Sequence, residues 1–238
     1  MTLRKYKHAI LLAALILTAL IQSFPHRLVL GPVASDVFIS ITRLLIFLIV
    51  FERRVSRLVA FVATCVSIIF DWTHYVLPAN YHPVLITVVF HSASLLLVGF
   101  ATIVILRNIF EQRVVRYDDV LGAVCGYLLA GAAWSNLFSL IETFVPGSFS
   151  IGPGFVAGFD SWHGSIAVLN YVSLGSLTSL GSGEVLPVRP PATMLTALEA
   201  VFGQFYIAVV VAQLVGARLA RAIERDASLE KARETRSR

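Results

Sequence analysis

The feature that most constrains this 238-residue chain is a succession of six apolar runs. They extend roughly from His8 to Pro25, Val37 to Phe51, Leu58 to Leu77, Pro83 to Leu106, Val120 to Phe144 and Ala192 to Val215. A helix crossing the hydrocarbon core needs about 20 mostly apolar residues. The runs approach that length, the second being completed by residues around Val33 to Asp36. Only 14% of the chain is charged and 57% is hydrophobic, with a mean hydropathy of +0.81. A soluble domain carries about 25% charged residues, so lipid must be part of this chain's solvent. In lipid, helices satisfy their own backbone, and the expectation is an all-α membrane protein with six spans.

The basic residues fix the orientation. Arg4, Lys5 and Lys7 precede the first run, and Arg53, Arg54 and Arg57 lie between the second and third. Arg107, Arg113 and Arg116 lie between the fourth and fifth, and a basic tail from Arg218 to Arg238 follows the sixth. With six spans all four clusters fall on one side, against only Arg27 and Arg189 on the other. Positive charge marks the cytoplasmic side, so both termini are expected in the cytoplasm of a multi-pass cell-membrane protein. The net charge of +5 thus reads as topology rather than nucleic-acid binding. Cys65 and Cys125 both sit inside apolar runs and read as small hydrophobes, with no disulfide framework. The first run lacks a small-residue cleavage site and is expected to remain as a helix.

Between the fifth and sixth runs the chain departs from a simple loop. Val145 to Phe159 is rich in Gly, Pro and Ser and reads as an irregular turret. Asp160 is placed to cap a helix starting near Ser161. Ile166 to Leu177 is apolar yet too short to span, and Gly181, Ser182, Gly183 and Pro187 end any helix after it. Such a segment is re-entrant. Irregular backbone at membrane depth is tolerated where it is buried in protein or lines a water-filled path.

The run from Tyr171 to Pro187, Y-V-S-L-G-S-L-T-S-L-G-S-G-E-V-L-P, resembles the pore of the two-transmembrane-pore potassium channel family, whose pattern is T-x-T-T-V-G-Y-G-D. Thr178 matches the first Thr of the T-T pair, and Ser179 replaces the second. Leu180 stands for Val, Gly181 and Gly183 match, Ser182 stands for Tyr, and Glu184 stands for Asp. The likeness continues from Leu198 through Gly203 to Gly216, which resembles the inner helix of bacterial members with Gly203 at the hinge position; a helix-packing glycine is an equal reading of Gly203. It covers about a third of the chain, roughly Phe138 to Gly216. The resemblance implies a homotetramer in which Thr178 to Gly183 form an ion filter for potassium or another monovalent cation, with no other cofactor. Rings of backbone carbonyls would replace the ion's hydration shell. Glycine takes positive φ without steric cost, so Gly181 and Gly183 are expected to alternate in that conformation. The preceding helix would aim its partially negative C-terminal end at the ion cavity, with the Ser179 hydroxyl at the inner mouth.

The departures bear on selectivity. In the family the aromatic at the Ser182 position braces the filter from outside, and a serine removes that brace. Leu180 is expected to crowd the packing behind the filter. Selective conduction, weak cation selectivity and a non-conducting sensor or modulatory subunit all stay open. An intramembrane protease is the rival from another class. Rhomboid-type proteases use a G-x-S-G serine with a histidine on a later helix, whereas Leu180 lies two before Ser182 and no histidine follows His163. No paired metal-ligand spacing appears either, and the chain is not expected to be an enzyme.

Three regions follow: a four-helix domain over residues 1–116, a pore domain over 117–216 and a helical tail over 217–238 in reach of anionic lipid. The fourth run contains no Arg or Lys, so voltage sensing through it is not expected. Arg43, Asp71 and His91 lie about six to eight residues inside the outer ends of their runs, hence at similar depth. An intramembrane charge needs a partner. Arg43 and Asp71 are expected to pair near His91, either as a structural tie or as part of a pH- or ligand-sensing site. Glu199, about one turn before Gly203, either pairs behind the pore helix or concentrates cations.

Overall fold

A computed structural model describes residues 6–23, 31–51, 54–76, 84–111, 117–152 and 162–236. Seven α-helices run through them: α1 (Lys7–Ser23), α2 (Gly31–Val50), α3 (Arg54–Asp71), α4 (Val84–Glu111), α5 (Tyr117–Phe144), α6 (Trp162–Leu177) and α7 (Pro190–Arg236). Four of them, α2, α4, α5 and α7, are long and apolar enough to cross a bilayer, and the chain is an all-α membrane protein. α1 has 17 residues, and the 18-residue α3 includes Arg54, Arg57 and Asp71. Asp160, Arg4, Lys5, Arg27, Arg53, Arg113 and Arg116 lie outside the described residues.

Local chemistry sets several ends. Asp118 and Asp119 occupy the first turn of α5, where the helix dipole favours negative charge. Pro190 and Pro191 open α7, where a missing N–H costs nothing. Beyond Gly216 α7 continues unbroken to Arg236. The C-terminal end of α3 tightens into a 3-10 turn, Trp72–Tyr75, where an uninterrupted α-helical run was expected.

Contacts at the helix ends give their directions. His8 at the start of α1 bonds Asp118 at the start of α5, with Nδ1 2.8 Å from Oδ2. Tyr75, just past α3, donates to Asp36 near the start of α2 at 2.7 Å. Tyr206 in α7 donates to the Ala123 carbonyl near the start of α5 at 2.7 Å. α1 and α5 therefore start at one end, and α2 and α7 run against α3 and α5.

The interior divides in two. Leu11, Ile46, Phe51, Leu97, Leu129 and Val210 pack where α1, α2, α4, α5 and α7 meet. Phe138, Phe149, Val168, Val172, Val185 and Ala192 pack around α6. Full burial of such side chains contributes about 1.5–3 kcal/mol each when the alternative is water; against lipid, close packing takes over that role. A strand the sequence did not announce, β1 (Phe149–Ile151), pairs antiparallel with β2 (Val185–Pro187). It occupies part of the region expected to be an irregular turret. The two strands close the excursion that contains α6 and the segment after it.

Candidate functional site

The site is built on α6. This 16-residue helix is wedged between α5 and α7 by the buried side chains of Val168, Leu169, Val172 and Leu177. At Leu177 the chain turns sharply. Thr178 bonds back to the Leu174 carbonyl through both its amide (3.1 Å) and its hydroxyl (2.7 Å), and the Ser179 amide reaches Ser176 O at 2.9 Å. Ser179 takes φ +58° and Gly181 φ +81°. The chain then climbs back along α6, with the Gly181 amide 3.0 Å from Gly175 O.

Positive φ thus alternates at Ser179 and Gly181, and Gly183 does not share it. The expected pair was Gly181 and Gly183; the turn that ends α6 shifts the alternation by one step. The Gly181 peptide lies flat on Gly175, where an added Cβ would stand 3.0 Å from Gly181 O. Gly175 is a residue the sequence reading missed. Its signal was a glycine inside an apolar helix. Leu180 is 84% exposed, so within its own chain it does not crowd the packing behind this segment. Ser182 is buried and donates to the Val185 carbonyl at 2.6 Å. Glu184 is exposed, and its carbonyl accepts from the Gly152 amide at 2.6 Å, which extends the β1–β2 pairing.

Two partners from α7 complete the turn. Gln204 Nε2 donates to Ser179 Oγ at 2.9 Å. Gly203 lies directly beneath the Leu177 carbonyl, and a Cβ there would overlap that oxygen. The Tyr127 hydroxyl donates to the same carbonyl at 2.8 Å. Gly203 is therefore a close-packing glycine between α6 and α7, whatever bending it also permits. At the C-terminal end of α5, Glu142 accepts from the amides of Gly147, Ser148 and Phe149 at 2.7–3.2 Å. It ties the turn after α5 to β1, and nothing in the sequence pattern pointed to it.

The polar cluster of the first four helices sits apart. Arg43 Nη1 is 2.8 Å from Asp71 Oδ2, with the Asp71 side chain fully shielded. The guanidinium also stacks over Phe90 at 4.8 Å. His91 stands beside the pair: its ring meets Phe90 edge-on, and its Nδ1 is 3.0 Å from Asn136 Oδ1 on α5. Arg43, His91 and Asn136 line a cavity of about 120 Å³ that reaches Asn170 of α6. There Asn170 donates to Gln22 of α1 at 3.0 Å, joining the four-helix region to the α6 wedge. Comparison with family models, curated proteins and solved structures finds no match to this chain.

Proposed function

We propose that this chain is the pore-forming subunit of a tetrameric, potassium-channel-like cation channel with six spans and both termini cytoplasmic. The observation that carries the proposal is the half-length helix α6, set between two long helices and followed by an irregular segment that doubles back on it. Ser179 and Gly181 provide the two positive-φ positions that alternating peptide orientations require. Helix α6 points its partially negative end toward the turn at Thr178. The helix directions support six alternating spans, which place the four basic clusters together. Only 17% of the α7 span is buried within one chain. The uncovered face, including Val201, Phe205 and Val209, suits lipid, a pore lumen and neighbouring copies.

Weak cation selectivity is the second reading, favoured by Ser182. Its hydroxyl is spent on Val185 in its own chain and, among the described residues, reaches none outside the loop that would brace the segment. The test is the reversal potential of purified protein in planar bilayers with potassium on one side and sodium on the other. Reversal near the potassium equilibrium potential supports selective conduction. Reversal near zero with robust current supports the weakly selective pore. Reproducible silence across pH and voltage would overturn conduction and leave a non-conducting sensor or modulatory subunit.

A further inference from the structure

Glu199 of α7 is wholly shielded from solvent, and its carboxyl shares the Ser173 hydroxyl with a backbone carbonyl. Ser173 Oγ of α6 is 2.5 Å from Glu199 Oε1 and 2.7 Å from the Gly131 carbonyl oxygen of α5. Both separations are hydrogen-bond distances, so each needs a proton between its oxygens. A backbone carbonyl only accepts, an ionised carboxylate only accepts, and a serine hydroxyl has one proton. With Glu199 ionised, one proton would have to serve two contacts, and one oxygen pair would face each other bare. With Glu199 as the neutral acid, its O–H donates to Ser173 and Ser173 donates to Gly131. Both contacts are then made.

The surroundings argue the same way. Glu199 Oε2 is buried with no hydrogen-bond partner. No Lys, Arg or His among the described residues forms a salt bridge with it. The Tyr127 phenol of α5 is a titratable group that faces it among the described residues, and it is no source of positive charge. A sealed carboxylate with neither cation nor full hydrogen bonding is far costlier than a neutral acid in the same place.

We infer that Glu199 is held as a neutral carboxylic acid and acts as a positioning residue, bolting α7 to α6 and α5 through Ser173. Its charge state follows from these contacts alone, while its role behind an ion filter rests on the pore reading. Glu199 and Gly203 are four residues apart on α7, as Ser173 and Leu177 are on α6. The bolt and the Gly203–Leu177 contact are thus successive rungs of one seam, one of them polar and the other steric. The seam fixes where α6 ends and therefore where the Thr178–Ser179 turn begins.

Infrared spectra of the purified full chain in deuterated buffer at neutral pH test this. The wild type should show a carbonyl stretch of a protonated carboxylic acid that is lost in Glu199→Gln. In Ser173→Ala the stretch should move to higher frequency, because the acid loses its acceptor. A wild-type minus Glu199→Gln difference containing only carboxylate bands would overturn the proposal. Glu199→Gln keeps a donor for Ser173 and so keeps the fold. A silent bilayer with the acid band present would sink the pore reading and leave the neutral acid standing; current without the band would do the reverse.

Discussion

Replacing Gly203 by alanine isolates one contact. The new Cβ would fall on the Leu177 carbonyl oxygen and within 2.8 Å of the Leu177 carbonyl carbon and 3.2 Å of its Cα. All three neighbours are backbone atoms at the end of α6, so no rotamer change relieves them. Either α6 shifts away from α7 or the turn at Thr178 is rebuilt. Overpacking of this kind costs about 1–3 kcal/mol, and losing the Tyr127 bond to Leu177 O adds about 1 kcal/mol. Alanine recovers up to about 1 kcal/mol as the better helix former. The net is about 1–3 kcal/mol, or roughly 5- to 150-fold in the equilibrium between seated and displaced α6. The assay is thermal unfolding of purified protein in detergent, with Gly216→Ala alongside, since nothing lies within 4 Å of a Cβ at Gly216. Gly203→Ala should lower the midpoint and Gly216→Ala should hold or raise it. Equal midpoints for the two variants would refute the packing role of Gly203.

Asp71→Asn should destabilise by about 3–5 kcal/mol, because it strands the Arg43 charge at depth. The double change Arg43→Met with Asp71→Leu should recover most of that loss in thermal unfolding, and a double variant weaker than the single would refute the pairing. Glu142→Gln should weaken the clamp on three amides by about 1.5–3 kcal/mol, the usual worth of a hydrogen bond to a charged group. Hydrogen exchange at Gly147, Ser148 and Phe149 reads it directly, and unchanged protection there would count against the clamp.

The sequence by itself determined the apolar runs, their helical state and the interruption between the last two. Those follow from the cost of burying unsatisfied backbone in lipid, which any sufficiently long apolar run reports. The pairing of Arg43 with Asp71 was legible for a related reason, since an intramembrane charge requires a partner at similar depth. Tertiary structure alone decided the rest. The shift of positive φ to Ser179 comes from the turn closing α6, which depends on where Leu177 seats against Gly203. The roles of Gly175 and Glu142 come from turns that bring the chain back within a few residues of itself, and that of Gln204 from α7 meeting the end of α6; helical periodicity encodes neither. Glu199 shows the division in one residue: its sequence gives a carboxyl group at depth, but only the placement of Ser173 and Gly131 fixes where its proton must lie.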